Sequence, residues 1–157
     1  MERGVDPGGS YPLGPVLGTL QRWWALNHAF ERASRRMAAR LGVTAQQRFA
    51  LRVIGKFPGL GPTELAAVLH LDAGTVSSTL RRLESLGLVA RRDAGRDRRR
   101  VALGLTPEGR ALSQDDAHTV EGALRRALAS LPPEDHAAAR RFLDAFIAAL
   151  DDAGHAP

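Results

Sequence analysis

Residues 91–106 read RRDAGRDRRRVALGLT, with six arginines, two acids and then an alternating apolar run into Leu105-Thr106. Guanidinium groups at this density do one kind of chemistry well. They bind phosphate or carboxylate oxygens through charge-assisted, often bidentate hydrogen bonds. Asp93 and Asp97 are the only local acids, so the arginines repel one another unless an anionic partner meets them. Val101, Leu103 and Leu105 share one face of a strand. The stretch therefore predicts a hairpin, with strands at Leu88–Arg92 and Arg100–Leu105 and DAGRDRR at its tip. A thin basic finger of this kind suits the DNA minor groove, where narrow A·T-rich segments concentrate negative potential. Arg96, Arg98 and Arg99 are the candidate contacts, with Asp97 among them as a local counter-charge.

A second group lies upstream. The segment DAGTVSST, residues 72–79, is small and rich in hydroxyls. At the start of a helix it lets the backbone approach a polyanion. Thr75, Ser77 and Ser78 can bond phosphates and base edges, and free N–H groups at the helix start suit phosphate oxygens. Arg81 and Arg82 follow about two turns later, within reach of base edges or flanking backbone. With Thr63, Asp72 and Gly74 these form the expected reading surface. Each feature alone is compatible with an ordinary solvated helix or loop. Their adjacency favours nucleic acid.

The charge distribution points the same way. The chain has 157 residues and a net charge of +5. Between Thr44 and Leu105 it holds eleven Lys and Arg against five acids, and the remainder holds eleven against twelve. The excess is therefore confined to the middle segment. Every basic residue except Lys56 is arginine, a bias that base composition alone can produce. Cysteine is absent, which excludes disulfides, thiolate metal sites and thiol nucleophiles. His28, His70, His118, His136 and His155 stand in no ligand spacing, so no metal or other cofactor is expected. No phosphate-binding glycine loop or nucleophile motif is visible, so an enzyme is not expected. The start, MERGVDPGGSYPLG, lacks an apolar signal core, and no run reaches membrane-spanning length. A cytoplasmic protein with no membrane partner is expected.

The elements that must position these groups follow from periodicity and punctuation. Residues 1–12, rich in Gly and Pro, are expected to be loose. From Leu13 to Arg40, Val16, Leu20, Trp23, Asn27, Phe30, Ser34 and Met37 recur at threes and fours. TAQQ at Thr44–Gln47 is a capping box that opens a second helix, which FPGLGP ends. Pro62 opens a short third helix, PTELAAVLH. Asp72 caps a fourth, from Ala73 to about Ser85, and Gly87 is placed to end it. After the hairpin, Thr106-Pro107 starts a fifth helix, expected to run unbroken to about Ser130. LPPED separates it from a last helix carrying Phe142, Leu143, Phe146, Ile147 and Leu150. The order is helix, helix, helix–turn–helix, hairpin, helix, helix. This predicts a mainly α fold with a small β-hairpin, a winged helix–turn–helix. One domain is expected over 13–151, with a DNA-binding lobe at 44–106. The flanking helices at 13–40 and 107–151 carry more apolar surface than so small a lobe can cover, which predicts a homodimer. Val16, Leu20, Phe142, Phe146 and Leu150 are the expected interface residues.

From about Leu13 to Leu150 the sequence also resembles the MarR family of bacterial transcriptional regulators. The resemblance rests on PTELAAVLHLDAGTVSSTLRRLESLGLVARR followed by DRRRVALGLTPEGRAL. Within it stand Leu88-Val89-Ala90-Arg91, Asp97-Arg98-Arg99 and Leu105-Thr106-Pro107-Glu108-Gly109. It implies that Arg99 is the minor-groove arginine, that Asp97 orients it, and that Ala73–Ser85 is the recognition helix. LDAGTVSSTLRRLE is similar to the recognition helix of the organic-hydroperoxide-sensing branch. That branch senses through a cysteine this chain lacks. The family's habit of binding small aromatic or lipophilic ligands draws attention to Trp23, Trp24, Asn27 and His28. Two indoles beside an amide and an imidazole suit an apolar ligand with one polar group. Packing in a core or dimer interface is the alternative for the tryptophans, and a solvated place the alternative for His28. The expected function is a ligand-responsive repressor that binds a pseudo-palindromic operator. A winged-helix architectural or RNA-binding protein is the alternative, with an enzyme lacking any visible motif behind it.

Overall fold

A computed structural model describes residues 13–91 and 101–153, together with the backbone but not the side chains of Arg92 and Asp93. It divides into two compact units, residues 1–115 and 116–157.

The first unit begins with α1, Gly14–Leu41, which ends where Gly42 takes the left-handed conformation at φ 75°. The next helix, α2, spans Ala45–Lys56 and opens with the expected capping box. Gln47 N–H donates to Thr44 Oγ1 at 3.3 Å, and Thr44 N–H donates to Gln47 Oε1 at 3.0 Å. Two of the orphan donors at the helix start are satisfied in this way. Pro62–Leu69 forms α3 and Ala73–Ser85 forms α4, with Asp72 as N-cap. A two-stranded antiparallel sheet follows, β1 at Val89–Asp93 and β2 at Val101–Leu105, with Val89 opposite Leu105 and Asp93 opposite Val101. The first strand starts one residue later than the alternation suggested. Pro107–Gln114 is α5.

One core joins these elements. Leu51 and Ile54 of α2, Leu65 of α3, Val76, Leu80 and Leu83 of α4, and Leu103 and Leu105 of β2 are all buried together. Each such side chain contributes about 2 kcal/mol relative to exposure. The hairpin is held by backbone as well as by side chains. Leu103 N–H donates to Leu60 O at 2.9 Å, which ties β2 to the turn after α2. Thr106 caps α5 through Gly109 N–H at 3.0 Å and sends its own hydroxyl to Gly87 O at 2.7 Å. A Cβ on Gly109 would lie 2.0 Å from Leu88 O, so only glycine lets α5 approach the start of the hairpin this closely. The Leu-Thr-x-x-Gly sequence therefore has a physical basis at both its Thr and its Gly.

The expected fifth helix is in fact two. The first ends at Gln114, and α6 starts at Val120 with Thr119 as N-cap. The last carbonyls of a helix lack intrahelical partners, and here two arginines of α2 take them. Arg48 donates to the carbonyl oxygens of Leu112, Ser113 and Asp115, and Arg52 donates to that of Ser113. The spacing of Leu112, Val120, Leu124 and Leu128 runs through the break in multiples of four and so conceals it. Thr119, with Glu121 in the first turn it caps, was the visible signal.

The second unit contains α6, Val120–Ala129, and α7, Pro133–Ala153. Arg125 pairs with Asp116 at 2.6 Å. His136 Nε2 lies 2.6 Å from Leu128 O, at the last turn of α6. None of the residues of α7 is buried.

Candidate nucleic-acid interface

The start of α4 is built around Asp72. Its Oδ1 accepts from Thr75 N–H at 2.8 Å and its Oδ2 from the Thr75 hydroxyl at 2.6 Å. These bonds, the hydroxyl's first, hold the Asp72 carboxyl below the ordinary carboxylate range. Thr75 therefore offers its oxygen only as an acceptor, where the sequence alone allowed a donor as well. Ser78 donates its hydroxyl to Thr75 O at 2.9 Å. A Cβ at Gly74 would come within 3.1 Å of Asp72 Oδ1, so glycine leaves room for the cap. Thr63 lies exposed on α3.

Along α4, Val76, Leu80 and Leu83 face the core, while Ser77, Ser78, Arg81 and Arg82 are exposed. The side chains of Ser77, Arg81 and Arg82 make no hydrogen bond or ion pair among the described residues. The helix thus presents a hydroxyl-and-arginine face away from its anchoring stripe. At its other end Glu84 Oε1 pairs with Arg91 Nε at 2.6 Å, joining α4 to β1. This bridge was missed in the sequence because its partners sit on different elements. The tip residues Arg96, Asp97, Arg98 and Arg99 lie outside the described residues.

The basic segment is not uniformly available. Arg48 is fully buried, and Arg48 and Arg52 both point to the end of α5. Their inward role had a signal, since Arg48 stands three residues after buried Ala45 and three before buried Leu51.

The other expected groups are on the surface. Trp23 is 36% exposed and Trp24 58%, with Asn27 and His28 also exposed along α1. Val16, Phe142 and Leu150 are exposed, and Leu20 and Phe146 are half-buried. Phe142 and Phe146 stack with centroids 6.0 Å apart. Among the described residues no cluster of His, Asp and Glu is arranged to hold a metal ion, and no helix is long and apolar enough to cross a membrane.

A family model described as MarR family matches residues 41–100. The HTH-type transcriptional repressor Mb2911 of Mycobacterium bovis is 33% identical over 104 residues, which cover 66% of this chain and 75% of that protein. The chain belongs to the MarR family. Another relative is the HTH-type transcriptional regulator TtmR of Methylorubrum extorquens, 38% identical over 129 residues. That match covers 74% of this chain and 66% of TtmR, so the chain spans just under two thirds of that relative. Among solved structures, the S. aureus MepR–DNA complex superposes with a TM-score of 0.69 at 23% identity, over 85% of this chain and 97% of that one. The MarR winged-helix fold is thereby established for this chain.

Proposed function

We propose that this MarR-family chain is a transcriptional regulator, a repressor that binds duplex DNA as a homodimer through α4 and the arginine-rich hairpin. The observation that carries the reading is the exposed face of α4. It brings Gly74, Thr75, Ser77, Ser78, Arg81 and Arg82 together on a helix clamped to the hairpin by Glu84–Arg91. A recognition helix of this kind enters the major groove, and phosphate contacts fix its register. The repressor name of the Mycobacterium bovis relative and the DNA bound to MepR support the same reading. Two copies are supported by the apolar side chains left exposed in each unit, among them Val16, Leu17, Leu26, Phe142, Ile147 and Leu150. A small aromatic or lipophilic effector would bind at Trp23, Trp24, Asn27 and His28, which lie on the exposed surface of α1.

The hairpin tip gives the sharpest test, because its roles differ from its charges. In the sequence Arg99 follows Asp97 by two residues and precedes β2 by two; a guanidinium held by that carboxylate would lose less side-chain entropy on insertion. Arg96 stands further from the returning strand in the sequence. On a duplex selected from a random pool, Arg99→Ala is expected to weaken binding about tenfold or more and Arg96→Ala only a few-fold. Asp97→Asn is expected to weaken binding although it adds positive charge. Tighter binding by Asp97→Asn, with equal losses for the two arginine variants at one salt concentration, would reduce the tip to a plain basic loop.

A further inference from the structure

Three arginines converge on one point, the last residues of the first unit. Arg48 of α2 is fully buried, and its guanidinium donates to the carbonyls of Leu112, Ser113, at 3.2 Å, and Asp115, at 2.5 Å. Arg52, one turn later on α2, reaches Ser113 O at 2.6 Å. Arg40 at the end of α1 reaches the Asp115 carboxylate at 3.3 Å. A buried cation is tolerated here because it meets the negative end of α5 and several carbonyl oxygens with no helical partner. Asp115 is also where the first unit ends. On the other side of that peptide, Asp116 is fixed within the second unit. Its carbonyl accepts from the Thr119 hydroxyl at 3.0 Å and its carboxylate pairs with Arg125 at 2.6 Å.

We propose that Arg48 and Arg52 are positioning residues for half-site spacing: by clamping the end of α5 they fix the direction in which the chain leaves the DNA-reading unit. The inference rests on the dimeric DNA-binding reading above. If the two reading units of a dimer are linked through the apolar helices of the second unit as well as α1, the stiffness of this exit contributes to how far apart and at what rotation two half-sites can be engaged. Only a guanidinium suits the position. Its planar fork serves several carbonyls at once, whereas an ammonium on a flexible stem cannot hold that geometry. The clamp touches none of the residues expected to meet DNA, so its loss should leave the reading of one half-site unchanged.

The test uses the full chain and a series of duplexes carrying two copies of the selected half-site, with the central spacer lengthened or shortened by one base pair. A single half-site duplex is measured alongside. One inserted base pair turns a half-site by about 35°. A stiff dimer accommodates this only by straining itself or the DNA, so the wild type is expected to lose roughly tenfold or more in affinity off its preferred spacing. Arg48→Lys and Arg52→Gln are expected to bind the single half-site as the wild type does, yet to show a spacing profile flattened to a few-fold. Arg52, only partly buried, keeps the test open if Arg48→Lys fails to fold. Variants that keep the wild-type spacing ratio would overturn the inference, as would a wild type indifferent to spacing. A wild type that binds no duplex would instead overturn the functional reading beneath it.

Discussion

Affinity for the selected duplex is expected to fall by about three orders of magnitude between 50 and 200 mM salt, because each phosphate neutralised releases condensed counterions and six or more contacts produce a loss of that size. The structure refines how that charge is counted. Of the eleven Lys and Arg between Thr44 and Leu105, Arg48 and Arg52 face the end of α5 and Arg91 is paired with Glu84, which leaves at most eight per copy for phosphate. Two substitutions that each remove one charge should therefore differ. Arg81→Ala is expected to make the log–log salt slope shallower by about 1.8 in a dimer, at about 0.9 per phosphate. Arg52→Gln is expected to leave the slope on optimally spaced DNA unchanged. Titrations of both variants at four or five salt concentrations decide the matter. Equal changes in slope would mean that net charge alone matters, and that the inward placement of Arg52 is irrelevant to binding.

Gly109→Ala is expected to be the most damaging single methyl group in the reading unit. Its Cβ would stand 2.0 Å from Leu88 O and 2.9 Å from Leu88 C. Both are backbone atoms at the start of the hairpin, and Leu88 O already accepts from Thr106 N–H at 3.1 Å. Relief requires α5 to move away from the hairpin, which pulls Thr106 off both Gly87 and its own cap. A cost of about 3 kcal/mol follows for overpacking against backbone, or roughly 10 °C in thermal midpoint for a chain of this size. Gly55→Ala is the informative comparison. Its Cβ would meet Leu105 Cδ1 at 2.8 Å, the far end of a flexible side chain that can turn aside. Calorimetry should find the Gly109 variant far less stable than the Gly55 variant. Equal midpoints would show that the hairpin and α5 are not packed as described.

Much of this architecture was legible from local chemistry. Thr44 with Gln47, Pro62, Asp72, Gly87 and Thr106 each have a local reason to begin or end a helix, and the element boundaries fall on or beside them. The outward face of α4 was legible for the same reason. Val76, Leu80 and Leu83 face inward at helical spacing, which leaves Ser77, Ser78, Arg81 and Arg82 outward. What the sequence did not reveal was mostly long-range. The break between α5 and α6 depends on Arg48 and Arg52, more than sixty residues upstream, and the apolar period runs through it undisturbed. The Glu84–Arg91 bridge likewise joins two elements whose pairing only the fold defines. Counting arginines identified the basic segment but could not separate those that face outward from those that hold the protein together. The expected contacts at Arg96, Asp97, Arg98 and Arg99 still rest on the sequence and the family pattern.

The most direct measurement is selection of bound duplexes from a random pool by the purified chain, followed by sequencing. Two copies of a chain reading DNA through α4 and the basic hairpin should recover a two-fold-symmetric motif, with half-sites one helical turn of about 10 base pairs apart or a multiple of it. Enrichment should disappear when Arg81 and Arg99 are both replaced by alanine. A pool that shows no enrichment, or a preference for single strands, or a motif without symmetry would contradict the account.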